Sequence, residues 1–237
     1  MWRMGAKTRK NDLSTIVGAS PGTVPEPFPL RLLTASSVAP EGEGWLHEIK
    51  YDGYRLTATV TGGRVRLWTR NGFDWTGRLS SIAAAMEDLG IESAAVDGEL
   101  VCLDGQGRSD FRALQSCVFS GRGQLLLYLF DMIYLDGWNL TRVPLIERKK
   151  LLMQGLSARK DPDTSPLRFC DHILGDGQRV FAHACRHGLE GIVSKKVDSR
   201  YRKGRAANWL KVKNPEYPRN RIRRRERGVI CDELLNG

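Results

Sequence analysis

The segment Glu48-Ile-Lys50-Tyr-Asp52-Gly53-Tyr-Arg55 sets a lysine two residues before an Asp-Gly pair and five before an arginine. That spacing suits covalent chemistry with Lys50 as the nucleophile. A free lysine is protonated at neutral pH and attacks nothing until burial or neighbouring cations disfavour its charged form. Asp52-Gly53 reads as a tight turn, after which Arg55 returns to the same pocket with a planar fork suited to phosphate. Asp97-Gly98-Glu99 reads as the end of one strand and the start of the next. An acid beside a glycine lets a carboxylate reach a ribose hydroxyl or a hydrated Mg²⁺ without crowding. In Trp209-Leu-Lys211-Val-Lys213 the alternation of a strand puts Lys211 and Lys213 on one face, with Leu210 and Val212 toward the core. Two ammonium groups side by side call for an anion between them. Their field would also disfavour charge on Lys50.

The elements that must position these residues follow from periodicity and breakers. Tyr54–Val60 and Val65–Thr69 are β-rich runs joined through Thr61-Gly62-Gly63-Arg64, a hairpin pattern. Leu79, Ile82, Met86 and Leu89 recur at helical spacing, and Gly90 closes that helix. Ala94–Leu103 reads as the first arm of a second hairpin turning at Asp104-Gly-Gln-Gly107. Leu125–Leu135 is an apolar run with a β-rich centre, hence a buried strand. Ile146–Leu156 and Gln178–Gly188 read as helices, and Gly191–Lys195 and Trp209–Lys213 as the last strands. Short strands interleaved with helices imply an α+β fold with antiparallel sheets and helices outside.

At 237 residues the chain holds one substantial core. No apolar run approaches the roughly 20 residues that span a bilayer, and the basic N-terminus has no apolar segment of a secretory signal behind it. Residues 1–28, rich in Gly, Ser, Thr and Pro, read as a mobile leader. The five cysteines include no C-x-x-C pair, which argues against a zinc site or a disulfide framework and for reduced thiols in the cytoplasm. The net charge is +10, of which residues 1–28 and 215–237 carry +2 each. The remaining basic excess belongs to the body, as expected of a surface that lies along phosphates.

Taken together the motifs resemble those of the covalent nucleotidyltransferases, and their context resembles the ligase module of bacterial end-joining ATP-dependent DNA ligases. The first motif is K-x-D-G-x-R at Lys50 within Gly44-Trp-Leu-His-Glu-Ile-Lys. Asp97-Gly-Glu99, Leu127-Tyr-Leu-Phe130-Asp131, Glu190-Gly191-Ile-Val-Ser-Lys195 and Trp209-Leu-Lys-Val-Lys213 come after it in the family's order between about Pro29 and Asn214. The resemblance implies an ATP-grasp-like adenylation domain, in which two antiparallel sheets flanked by helices form a nucleotide cleft. It implies that Lys50 takes AMP from ATP and passes it to a 5′-phosphate at a nick in duplex DNA. Phe130 would stack on the purine, and Glu48, on the strand face of Lys50, would read the adenine edge. Arg55, Lys211 and Lys213 would contact the nucleotide phosphates. Glu99 and Glu190 would hold Mg²⁺ or Mn²⁺. Arg70, in Thr69-Arg-Asn-Gly72, and Lys195 would meet phosphate or DNA.

One departure stands out. Members of this family continue past Trp-Leu-Lys-Val-Lys into an OB-fold of about 100 residues, whereas 24 residues remain after Lys213 here. The expectation is therefore an adenylation domain at 29–214 and a basic tail at 215–237 without an OB-fold, served by a separate OB-fold or repair protein. Arg219, Arg221, Arg223, Arg224, Arg225 and Arg227 make that tail a solvated end or a phosphate-gripping arm. The alternatives are a non-catalytic nick- or end-binding module on the same fold, and an RNA ligase or guanylyl-transferring enzyme. A bacterial nucleoid location is implied by a DNA substrate.

Overall fold

The computed structural model describes residues 12–24, 26, 30–157, 159 and 161–218. A single 3-10 turn at Leu13–Thr15 is followed by β1 (Ser20–Pro21), β2 (Arg31–Ser36), β3 (Trp45–Ile49), β4 (Tyr54–Thr61) and β5 (Arg64–Thr69). Next come α1 (Ser80–Glu87), β6 (Ser93–Val101), α2 (Phe111–Ser120), β7 (Leu126–Leu135), β8 (Trp138–Asn139) and α3 (Leu145–Leu156). The chain continues through β9 (Leu167–Phe169), β10 (Ile173–Leu174), α4 (Gly177–Arg186), β11 (Gly191–Lys196) and β12 (Gly204–Lys213).

These strands make two sheets. One has the order β1-β8-β7-β6-β4-β5 with β9 added to β7; the other has the order β10-β3-β11-β12-β2. Each is antiparallel except for one parallel pair, β7 with β9 and β12 with β2. The expectation of wholly antiparallel sheets is corrected to that extent. The β4–β5 hairpin turns where foreseen, with Gly62 and Gly63 at φ 57° and 72°. That left-handed pair matches the twist of the flanking strands and is open to glycine at no steric cost.

Three cores arise from strand alternation. Leu56, Ala58, Val60, Val96, Leu100, Leu127 and Leu129 turn one face of the larger sheet toward α1 and α2. The opposite face meets the smaller sheet through Ala95, Ile133, Tyr134, Leu46 and Trp209. Behind the smaller sheet, Ile192 and Val212 pack on Val180 and Ala184 of α4. The inner face of β12 therefore runs Trp209, Lys211, Lys213, and that of β3 runs Leu46 and Glu48 toward Lys50. Apolar packing fills one end of the space between the sheets and charged groups line the other. This geometry makes a cleft.

Several sequence expectations need correction. Asp97-Gly98-Glu99 lies inside β6 and separates no strands, because Asp97 pairs with both Thr57 and Asp131. No second long strand succeeds β6; beyond a single bridge of Leu103 with Ser109 the chain enters α2. That helix was not foreseen, although Asp110 caps its first amides and Gly121, at φ 66°, ends it. β12 starts five residues before Trp209. The leader boundary also moves: Leu13 is buried in the main core and Ser20–Pro21 pairs with β8. The arginine-rich run from Arg219 to Arg227 lies outside the described residues.

Two motif glycines have steric reasons. A Cβ on Gly53 would fall on the carbonyl oxygen of Leu100, so the loop after Lys50 can lie against β6 only with glycine there. Gly191, at φ 140°, abuts the carbonyl oxygen of Val212 in the same way.

Candidate active site

Lys50 comes directly after β3, and its amide donates to the Gly191 carbonyl at 3.0 Å, which seats it beside the start of β11. The next turn of chain is anchored by the Asp52 amide, which donates to Ser109 Oγ at 3.0 Å. Lys50 Nζ donates to Glu190 Oε2 at 2.8 Å, and Lys213 Nζ donates to Glu190 Oε1 at 2.9 Å. The Glu190 carboxylate thus sits between Lys50 and Lys213, not between Lys211 and Lys213, the pair for which an anion was expected. Burial pushes that carboxyl up, but Lys50 and Lys213 outweigh burial and hold it below the usual range. Lys211 shares their face and has no ion-pair partner among the described residues. Burial first, then the fields of Lys213 and Lys50, push its ammonium down. Two ammonium groups therefore hold one carboxylate, and a third, Lys211, feels the fields of all three.

Glu99 faces the same cleft from β6, half-buried and outside every described ion pair. Burial pushes its carboxyl up to about 7; Lys50 and Arg55 oppose the shift, while Asp97 and Glu190 add to it. A folded carboxyl above its free value keeps a proton that the unfolded chain releases. Stability is then lost as pH rises from about 4.5 to about 7, and no further above that. Glu99→Gln should consequently raise the unfolding midpoint at pH 8 and leave it unchanged near pH 4. A difference between variant and parent that does not change with pH would show Glu99 to be solvated instead.

Arg55 departs from its expected role. Its Nε and Nη2 donate to the two oxygens of Asp97 at 2.9 and 2.5 Å, and Nη1 donates to the Arg31 carbonyl at 2.6 Å. Its fork is closed on a fully buried aspartate rather than open to a phosphate. Asp97 also accepts from the Tyr201 hydroxyl at 2.8 Å.

Glu48 is likewise engaged. Its carboxylate lies 2.6 Å from Lys149 Nζ and 2.5 Å from Lys195 Nζ, all three groups being buried. One carboxylate cannot neutralise two ammonium groups. Lys149 takes the better share, donating also to the Cys170 carbonyl at 2.8 Å. Burial and Lys149 together push Lys195 down. Its ammonium is 4.3 Å from the ring centroids of both Phe130 and Trp209, where ring faces offset part of its desolvation. As placed, Glu48 holds the cleft floor and offers no open acceptor, and Lys195 is no surface contact for DNA.

Phe130 reaches the cleft through a bulge. Asp97 pairs with Asp131 and Gly98 with Leu129, so Phe130 is the extra residue and is re-aimed across the sheet. Its ring meets Trp209 edge-on at 6.5 Å, with the Arg55 guanidinium 5.4 Å from its centroid. Arg70 is exposed in the turn after β5, and no described bond ties it to the Lys50 cluster.

The Glu190 carboxylate adds to the upward push on Glu99, which places both in one cleft. Their hard oxygen donors suit Mg²⁺, which takes one or two carboxylates and completes its shell with phosphate and water. The residues present fit such an ion. Among the described residues there is no cluster of three metal-ligating side chains.

Residues 34–213 match the family model of the ATP-dependent DNA ligase domain. The chain belongs to that family. It is 44% identical over 199 residues to the multifunctional non-homologous end joining protein LigD of Pseudomonas aeruginosa, covering 83% of this chain and 23% of that protein. With the corresponding LigD of Mycobacterium tuberculosis the identity is 37% over 172 residues, covering 72% and 22%. The chain thus spans under a quarter of the length of these ligase relatives. Among solved structures, a mycobacterial DNA ligase D complexed with ATP and MES superposes with a TM-score of 0.66 at 35% identity, covering 77% of this chain and 59% of that one. The ligase-domain fold and the two-sheet α+β expectation agree. No helix among the described residues is long and apolar enough to cross a membrane.

Sequence reasoning missed Arg31, Arg148, Lys149 and Tyr201 as builders of this cleft, and the pairing of Asp97 with Arg55. One signal was visible: Asp131 is a lone charge in the middle of an apolar run. Its partner is Arg148 of α3, with Nε and Nη2 at 2.7 and 2.8 Å and both residues fully buried.

Proposed function

We propose that this chain is the nucleotidyltransferase unit of an ATP-dependent DNA ligase, with Lys50 as the residue that carries AMP. The observation that carries the reading is the arrangement of Lys50, Lys211 and Lys213 about Glu190 at the charged end of the cleft. Once deprotonated, Lys50 Nζ attacks the α-phosphorus of ATP; a nitrogen–phosphorus bond forms as the bond to pyrophosphate breaks. Lys211 and Lys213 offset charge on the phosphate oxygens from fixed positions on one strand face. Glu190 Oε2 keeps Lys50 aimed into the pocket. Arg55 acts through Asp97 as a positioning residue, while Phe130, backed by Trp209, supplies an apolar wall for the purine. Glu99 and Glu190 would hold Mg²⁺, which neutralises phosphate charge when bound. AMP then passes to the 5′-phosphate at a DNA nick, and a 3′-hydroxyl displaces it. The ligase D neighbour with ATP bound supports the choice of nucleotide.

The test is incubation with α-labelled ATP and Mg²⁺, then denaturing electrophoresis. Acid-labile label should stay on the chain, be absent with γ-labelled ATP, and discharge onto duplex DNA carrying a 5′-phosphate at a nick. A chain that binds nicked duplex yet never takes label is a binding module, and the proposal fails.

A further inference from the structure

The chain crosses from the larger sheet to the smaller one at Cys170-Asp171-His172. Phe169, the last residue of β9, pairs with Leu129 of β7, and the Cys170 amide donates to the Leu129 carbonyl at 2.8 Å. On the far side Ile173 pairs with His47 and Leu174 with Leu46 of β3. One further step in that register sets His172 opposite Glu48, and cross-strand neighbours share a face, so the imidazole belongs to the cleft. The residue is half-buried, and its Nδ1 is buried without a hydrogen-bond partner among the described residues. We infer that His172 reads the base of the nucleotide, its Nδ1 accepting a hydrogen from the 6-amino group of adenine. That the base is adenine rests on the ligase reading above.

A buried polar atom left unpaired costs stability, and on the wall of a cleft a ligand atom accounts for it. Glu48, the neighbour across the strand pair, offers no acceptor, because Lys149 and Lys195 hold its two oxygens at 2.6 and 2.5 Å. The wall around His172 is already braced. Lys149 Nζ donates to the Cys170 carbonyl at 2.8 Å and lies 4.6 Å from the Phe169 ring centroid, and the imidazole meets Phe169 edge-on with centroids 6.4 Å apart. Burial first, then the field of Lys149, disfavours charge on the imidazole, so the ring is neutral and keeps one nitrogen lone pair. The cleft floor holds two ammonium groups to one carboxylate, which favours the tautomer with that lone pair on the buried nitrogen. An acceptor there suits the amino group of adenine; the carbonyl at the same position of guanine would set lone pair against lone pair. Position agrees as well. Lys195 Nζ touches Glu48 on one side and lies 4.3 Å from the Phe130 centroid on the other, so the imidazole and the apolar wall for the purine flank one buried floor.

The experiment measures by calorimetry, without metal, how the full chain and its H172A variant bind ATP and purine riboside triphosphate, which lacks only the 6-amino group. The parent should hold ATP about tenfold more tightly than the analogue, the usual worth of a hydrogen bond whose buried partner is otherwise stranded. H172A should lose about tenfold on ATP and stay within about twofold of the parent on the analogue, so that the preference disappears. H172N sets a carbonyl acceptor near the place of Nδ1 and should restore most of the preference. Equal losses on both nucleotides would make His172 a plain wall of the cleft and overturn the inference, as would a parent with no preference for ATP. Lysine labelling with α-labelled ATP is followed in parallel. Discrimination through His172 in a chain that takes no label leaves the base contact standing and ends the ligase reading; labelling without discrimination does the reverse.

Discussion

Lys50→Arg protein incubated with α-labelled ATP and Mg²⁺ should carry no label, and Lys50→Ala likewise. Arginine keeps the charge and much of the reach of lysine, but its guanidinium stays protonated and cannot act as the nucleophile. The loss should be chemical and not structural. Lys50 is 17% exposed in its side chain, and removing it leaves Glu190 still bound by Lys213. The unfolding midpoints should therefore remain close to that of the parent. Phosphate binding should survive in part, since Lys211 and Lys213 still line the cleft. Label at parental levels in either variant would place the AMP on another residue and end the assignment of Lys50.

The residues of this cleft were legible where their logic is local. Lys211 and Lys213 come after Trp209 on alternate positions of one strand, so their common face is set by pleating alone, and the structure turns that face inward. Lys50 and Gly53 are bound by a loop too short to place them apart. The sequence did not reveal which charges pair. Glu48 finds Lys149 from a helix 101 residues away, and Arg55 finds Asp97 42 residues on. Those partners are set by how α3 packs and by the register of β6 on β4. No rule of spacing predicts that Lys149, next to Arg148 in what reads as a solvated helix face, is fully buried. The bulge at Phe130 changes which side chains of β7 face the cleft, and it too depends on pairing with β6. In contrast, α2 was readable. Asp110 and Gly121 bracket Phe111, Leu114, Cys117 and Val118, a helical stripe with both caps, which an expectation of a hairpin had displaced.

Arg148→Met should lower stability by about 3–5 kcal/mol, the usual result of leaving a buried charge without its partner. Asp131 is fully buried, and its carboxylate takes two hydrogen bonds from Arg148 at zero exposure to bulk solvent. For a domain of this size such a loss corresponds to a fall in midpoint on the order of 10 °C. The consequence reaches the site, because Arg148 also donates to the carbonyls of Val143 at 2.5 Å and Ser199 at 2.9 Å. Ser199 precedes the loop that carries Tyr201 against Asp97, so a molecule that stays folded should also label more slowly. The double variant Asp131→Leu/Arg148→Met separates the two effects. With no unpaired charge left, it should lose less than the sum of its single changes, although two carbonyls still lack a donor. Urea unfolding of the four proteins measures this. A single Arg148→Met loss below about 1 kcal/mol means that water reaches Asp131. A double variant no better than the worse single one puts the pair's importance in the two carbonyl bonds, and thus in holding the Tyr201 loop, rather than in the charge of Asp131.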